Sequence, residues 1–240
     1  MKDFAGKVAV VTGAGSGFGR EFARIGAQLG MKLSLADIQP EALAATVDEL
    51  RGQGAQVIGE TVDVSRGADV ERLAQRTLDA YGAVHLLFNN AGVASGGLVW
   101  ENSVKDWEWV LGVNLWGVIH GVRTFVPIML AQGDECHVVN TASVAGLLSP
   151  QLMGVYNVSK HGVVTLTETL YQDLRVTGAR IGVSLLCPAF VPTGIAQSHR
   201  NRPAGLQDDA APTASMIASQ KASEKAVSSG RISAAEVARM

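Results

Sequence analysis

Tyr156 and Lys160 stand four residues apart in a stretch with helical apolar spacing, and Ser143 precedes the tyrosine by thirteen residues at the end of an apolar run. A separation of four brings two side chains onto one helical face. A phenol with an ordinary pKa near ~10 is a poor base at neutral pH, and a neighbouring ammonium favours its phenolate. Lys160 is the natural source of that charge. Ser143 can hydrogen-bond a substrate oxygen while Tyr156 takes or gives its proton, which stabilises the charge that develops as hydride leaves or arrives. The set suits hydride exchange at a secondary alcohol or ketone, with Tyr156 as the acid/base.

Such chemistry needs a hydride carrier, and the chain begins with a place for one. An apolar strand ends in Thr12-Gly13-Ala14-Gly15-Ser16-Gly17-Phe18-Gly19, and the next residues open a helix. Glycines let the backbone approach a pyrophosphate, and the helix N-terminus offers free N–H groups to the anion. Gly13, Ser16, Gly17, Phe18 and Gly19 are therefore candidate cofactor contacts. Phe18 stands where the last glycine of G-x-G-x-x-G would fall, so the spacing is T-G-x-x-x-G-x-G. Asp37 ends the second strand, 18 residues past Gly19, where a carboxylate can accept hydrogen bonds from the adenosine ribose. The same charge would repel a 2′-phosphate, and neither Ser16 nor Ile38 is a cation, which points to NAD rather than NADP. Asp63 and Val64 follow the third strand and could hold the adenine edge, although Asp63 alone reads equally well as a cap. Asn89, Asn90, Ala91 and Gly92 end the fourth strand, the last three as cofactor candidates or as groups that satisfy loop backbone.

The elements that must position these residues alternate. Strands are predicted at 7–12, 32–36, 55–61, 84–88, 136–141 and 180–186, with helices at 18–30, 40–52, 67–81, 103–113, 114–131 and 155–177. That order implies right-handed βαβ units in a doubly wound, Rossmann-like parallel sheet of three layers, with its ligand site beyond the strands' carboxyl ends. A length of 240 residues suits one domain with a full core. Residues 196–230 are rich in Ala, Ser, Gln and Pro with no aromatic residue, which reads as a mobile substrate lid; Thr213 to Ile217 is expected to form a short helix with Met216 and Ile217 over an apolar substrate. Ser233 to Glu236 is a capping box opening a helix cut off at Met240, so the last part of the fold is expected beyond the given chain.

A net charge of −2 gives no electrostatic reason to expect nucleic acid or an anionic membrane as partner. No export signal follows Met1, and the apolar runs read as too short or too interrupted to span a bilayer. Cys136 and Cys187 read as reduced thiols of a cytoplasmic protein, and the five histidines share no metal-ligand spacing. Trp100, Trp107, Trp109 and Trp116 read as core or subunit packing rather than substrate contacts.

Together these motifs resemble the short-chain dehydrogenase/reductases from Lys7 to Val237, through Thr12 to Gly19, Asp63, Asn89 to Gly92, Ser143 with Tyr156 and Lys160, and Pro188 to Thr193. The resemblance implies Asn114 as a fourth catalytic residue, holding a water that links Lys160 to solvent. It also implies that Pro188, Val191 and Thr193 bind the nicotinamide carboxamide and the pyrophosphate side. Ala189 replaces the family's glycine, and the family's seventh strand is absent before Met240. A homotetramer, or a dimer, through the helices at 114–131 and 155–177 is implied in the same way. Ser95, Gly96, Leu147, Leu148, Gln151, Met153, Phe190 and Ile195 are the expected substrate-facing positions. Being mostly apolar and without Arg or Lys, they disfavour a strongly anionic substrate. Two other readings remain: a cofactor-sensing binding protein that no longer turns over, and an epimerase or lyase that retains NAD without net redox change.

Overall fold

A computed structural model of the chain describes residues 2–239; Met1 and Met240, where the sequence reading placed the start of the lead-in and the cut end of the last helix, lie outside them. Six strands, β1 (Val8–Thr12), β2 (Lys32–Asp37), β3 (Val57–Thr61), β4 (Leu86–Asn89), β5 (Cys136–Thr141) and β6 (Ile181–Leu186), form one sheet in the order β3-β2-β1-β4-β5-β6, every pair parallel. The chain leaves β1 for β2 on one side and later returns to β4 on the other. The order therefore reverses between β1 and β4, and a crevice opens beyond their carboxyl ends.

Helices cover both faces, which is why β1 is buried along its whole length rather than alternating with solvent. Its side chains still alternate between faces. Ala9 and Val11 pack with Ala23 of α1 (Gly17–Gln28) and with Leu43, Val47 and Leu50 of α2 (Pro40–Gly52). Val10 joins the opposite cluster, with Leu73 of α3 (Gly67–Tyr81) and Phe125 and Met129 further along the chain. Phe125 has no exposed surface, so its truncation to alanine should cost about 3–5 kcal/mol.

Strand β4 starts two residues later than the expected 84, because the Gln132 side chain takes both backbone groups of Val84: it accepts from the amide at 2.7 Å and donates to the carbonyl at 2.9 Å. The two helices expected at 103–131 form one run. α4 (Val104–Leu111) opens on a Ser103/Asp106 capping box, passes through a π-helical turn at Gly112–Trp116, and continues as α5 (Gly117–Gln132). An 18-residue window of this 29-residue run has a mean hydropathy of 1.3, so by length and composition alone the run could cross a membrane, where the sequence reading expected none, even though Gly, Asn and His stand within it. In this fold Val118, Phe125, Val126 and Met129 spend that apolarity on the core.

After the four-residue α6 (Ala145–Leu148), α7 (Gly154–Val176) leads into β6, the sheet's edge among the described residues, with no seventh strand. The chain then returns over the crevice through 3₁₀ turns at Gly194–Asn201 and Ala204–Leu206. α8 (Ala214–Ser228) and α9 (Ala234–Ala238) follow. α9 is marginal alone, and here it docks on α1.

Candidate active site

The glycine loop is built for close approach. Gly13 (φ 68°) and Gly17 (φ 52°) adopt the left-handed conformation, and a side chain at Gly19 would collide with the Gly13 carbonyl. Ser16 is the N-cap residue of α1 but makes no side-chain cap bond, and the first turn of α1 carries no acid. The loop is tied to the sheet by Thr12, whose hydroxyl donates to the Phe88 carbonyl (3.1 Å) and accepts from the amides of Asn90 (2.9 Å) and Ala91 (3.1 Å). The Asn90 amide group returns a bond to the Thr12 carbonyl at 3.0 Å. Asn89 is turned away from the crevice, donating to Asn140 at 2.9 Å and packed against Gly121.

Asp37 is fixed before any ligand arrives, since Oδ2 accepts from the Gly15 amide at 2.8 Å and Oδ1 from the Gln39 amide at 2.9 Å. Each oxygen keeps a lone pair for a hydroxyl. Asp63 both lines the crevice and caps its own loop, accepting from the Ser65 amide (3.0 Å) and hydroxyl (2.7 Å).

Gly13, Ser16, Gly17, Phe18, Asp37, Asp63, Val64, Asn90, Ala91 and Gly92 line one continuous crevice with Ser143, Tyr156, Lys160, Pro188, Val191 and Thr193. Gly19 lies behind that wall. Tyr156, Lys160 and Ser143 are 7%, 3% and 8% exposed, so the reacting groups are nearly dry. Lys160 Nζ donates to the Thr141 carbonyl at 2.9 Å and lies 5.7 Å from the centroid of the Tyr156 ring. Ser143 Oγ accepts from the Ala145 amide at 3.1 Å and donates to the Pro188 carbonyl at 3.4 Å.

Burial dominates the electrostatics. It pushes the Tyr156 phenol up to about 12, partly offset by the Ser143 hydroxyl beside it, and pushes Lys160 down to about 8. The expectation of a phenol lowered by its lysine is therefore not met: burial outweighs the lysine here. Both groups have lost water, and the lysine's hydrogen bond goes to a carbonyl rather than to the phenol.

Asn114 sits fully buried in the π-helical turn, a departure from α-helical register that often accompanies function. Its side chain accepts from the Val93 amide (2.8 Å) and donates to the Val93 carbonyl (2.9 Å) and to Ser159 (3.0 Å). A methyl group added at Gly92 would lie 3.4 Å from Asn114 Oδ1 and 3.7 Å from Lys160 Nζ, so the asparagine and the lysine flank the same narrow space.

Of the expected substrate positions, Met153, Phe190 and Ile195 line the crevice. Ser95, Gly96, Leu147, Leu148 and Gln151 do not. The turn of α6 faces Leu147 and Leu148 outward at 54% and 75% exposure, and Gln151 is exposed. Gly96 is covered instead by Ser219 of α8. The loop between α6 and α7 is strained, with Ser149 (φ 50°) and Leu152 (φ 60°) in the left-handed region, and it presents Pro150 to the crevice.

Several wall residues were not visible from sequence. Trp109 lines the crevice beneath the Arg202 guanidinium, 5.5 Å away, and is 4% exposed. Ser198 comes from the 3₁₀ turn at Gly194–Asn201 and accepts from the Ala94 amide at 2.9 Å across 104 residues, a pairing that no local spacing announces. α8 is longer than the short helix expected at 213–217, and it turns Ser223 and Val227 to the crevice; Met216 packs at Gly97 instead. Arg200 lines the crevice as well, a cation at neither of the positions, 16 and 38, that the sequence was read for.

A crevice at the reversal of a parallel sheet, joining a glycine-rich turn to a buried Ser/Tyr/Lys group, defines an oxidoreductase of the dinucleotide-fold class. A family model described as short chain dehydrogenase matches residues 7–204, and the chain belongs to that family. A crystal structure of a short chain dehydrogenase/reductase from Burkholderia phymatum in complex with NAD is 62% identical with a TM-score of 0.99, covering all of this chain and 85% of that one. A CLA biosynthesis dehydrogenase/reductase of Lactiplantibacillus plantarum is 37% identical over 212 residues, 88% of this chain and 74% of the relative. A C alpha-dehydrogenase of Sphingobium is 39% identical over 205 residues, 85% and 67% of the two chains.

Proposed function

We propose that the protein transfers a hydride between NAD and a secondary alcohol or ketone, with Tyr156 as acid/base assisted by Lys160, Ser143 and Asn114. The observation that carries this reading is the placement of Ser143, Tyr156 and Lys160 on the same dry wall as the glycine loop and Thr193. The donor set fits the dinucleotide: open amides at the start of α1 for the pyrophosphate, and Asp37 with free lone pairs for the ribose. The NAD in the Burkholderia phymatum relative supports the choice of cofactor. When bound, NAD supplies the hydride acceptor or donor. Ser143 hydrogen-bonds the substrate oxygen, Tyr156 moves the proton at that oxygen, and Lys160 supplies positive charge behind the phenol. Asn114 holds the Val93 segment in place and leaves a path by which Lys160 can exchange protons with water.

Beyond Ser143 and Tyr156 the crevice is walled by Val144, Pro150, Met153, Phe190, Ile195 and Val227. These suit a neutral, apolar alcohol. The free thiols Cys136 and Cys187 fit a cytoplasmic setting. Exposed Trp116 on the α4–α5 run and Val158 and Tyr171 on α7 fit assembly through those helices into a dimer or tetramer.

The test is NAD reduction across a panel of secondary alcohols, followed by Tyr156→Phe on the best of them. That variant should lose on the order of 10²–10⁴-fold in kcat while binding NAD nearly as before. Half of the wild-type kcat in the phenylalanine variant would remove Tyr156 from the role. Tightly bound NAD in the purified protein, with no net reduction on any alcohol, would favour the epimerase or lyase reading.

A further inference from the structure

We propose that Arg200, carried on the lid, pairs with the pyrophosphate of the dinucleotide, so that anchoring the cofactor and seating the lid are one event. The proposal rests on the dinucleotide reading above and adds to it a residue outside the glycine loop.

Arg200 and Lys160 are the only cationic side chains among the described residues that line the crevice, and Lys160 lies at the reacting end. The other charged residues on that wall are Asp37 and Asp63. Two phosphates entering this crevice would therefore meet the open amides of α1 and, apart from Arg200, no positive side chain.

The guanidinium lies where such a charge is needed. A methyl group built on Gly194 would be 3.2 Å from Arg200 Nη2 and 3.9 Å from Ser16 Oγ, which puts the guanidinium and the start of α1 about one side chain apart. Thr193 packs on Gly17 at the same point. On the other side Asn201 accepts a hydrogen bond from Gln39, next to Asp37. The 3₁₀ turn is thus tethered on both flanks of the pyrophosphate position, and these tethers set where Arg200 stands.

Arg200 is also uncommitted. Its one hydrogen bond is a long one, 3.3 Å, to the Gln197 carbonyl within its own turn, and among the described residues it makes no ion pair. Arg20, Arg24, Arg72 and Arg202 are all held by carboxylates. A planar guanidinium with free donors beside a helix N-terminus suits bidentate recognition of a phosphate pair.

The experiment is calorimetric binding of NAD, NADP, ADP and adenosine to the wild-type protein, Arg200→Gln and Arg200→Lys, each at low and moderate salt. Arg200→Gln should weaken NAD and ADP on the order of tenfold, leave adenosine unchanged, and flatten the salt dependence of ADP binding. Arg200→Lys should recover part of the loss. Equal weakening of ADP and adenosine would mean that Arg200 only shapes the lid, and unchanged ADP binding would mean that it touches no phosphate; either overturns the proposal. A loss seen with NADP but not with NAD would place the guanidinium at a 2′-phosphate and overturn it equally. No alcohol is present in these measurements, so failure to find a substrate leaves the outcome readable.

Discussion

Lys160 donates to the Thr141 carbonyl at 2.9 Å while Tyr156, one helical turn earlier, presents only its ring at 5.7 Å. Both residues are buried, and burial drives each toward its neutral form: the phenol up to about 12 and the amine down to about 8. At neutral pH the phenol therefore holds its proton.

A phenol that holds its proton is ready to act as the acid of ketone reduction and must be emptied to serve as the base of alcohol oxidation. Oxidation should rise steadily from pH 7 to 10, while reduction should hold at low pH and decline as Lys160 loses charge through about 8. In Lys160→Ala the decline of reduction through about pH 8 should disappear, because the group that titrates there is gone. Initial-rate profiles of kcat/KM in both directions check this. A flat oxidation profile over that range would contradict the assignment.

Asp37 offers both oxygens to the loop and keeps lone pairs toward the crevice. NAD should be preferred over NADP by at least ~100-fold in kcat/KM, about 2.7 kcal/mol. Asp37→Asn removes the repulsion of a 2′-phosphate while retaining an acceptor for the Gly15 amide, and should narrow the ratio about tenfold. Equal efficiency with both cofactors in the unmodified protein would be the adverse result.

At the opposite end of the sheet His85 joins two strands. Its Nδ1 accepts the Val8 amide at 3.1 Å, and its Nε2 lies 3.4 Å from the Asp134 carboxylate. Burial, followed by the Lys7 charge, lowers its pKa against the opposing pull of Asp134. The unfolded chain thus takes up this proton first, at about 6.5, so stability is full above that pH and declines as pH falls toward the folded value. Its slope there can reach ~1.4 kcal/mol per pH unit for one group. In His85→Gln, which can still accept from Val8 without titrating, the drop in Tm between pH 7.5 and 5 should shrink. An unchanged drop would remove His85 as its source.

The strand-helix alternation made the sheet legible because burial on both faces leaves continuous apolar runs, as in Val8 to Val11. The glycine loop, Asp37 and the Ser143/Tyr156/Lys160 set were legible for a different reason: each depends on spacing within one or two adjacent elements. Asn114 came only by resemblance, since a π-helical turn leaves no mark in apolar periodicity. Ser198, Arg200 and Val227 reach the crevice through pairings across the whole chain, such as Ala94 with Ser198, and no local pattern encodes those.

The segment 196–230, whose role as a lid is the last prediction, shows the same limit. Residues 196–230 carry no aromatic residue to anchor them, yet polar groups hold them. Glu101 Oε2 accepts from Thr213 and from Ser215, both at 2.6 Å. The Leu98 amide donates to Ser215 at 2.9 Å, Ser219 donates to the Leu152 carbonyl at 2.8 Å, and Arg202 pairs with Asp106 at 2.7 Å. Most of these contacts are polar ones that release without exposing an apolar core, although the Arg202–Asp106 pair is itself nearly dry at 14% and 4% exposure, and such a polar footing suits a segment that opens for ligand exchange. Hydrogen exchange across 196–230 should therefore be fast in the free protein and slow clearly when NAD and a substrate analogue are both bound, more than with NAD alone. Glu101→Gln, which keeps the shape and weakens the charge-assisted bonds, should speed exchange across α8 with little effect on β1 to β5. Strong protection of α8 already in the free protein, unchanged by either ligand, would make this segment a fixed wall of the crevice and end its role as a gate.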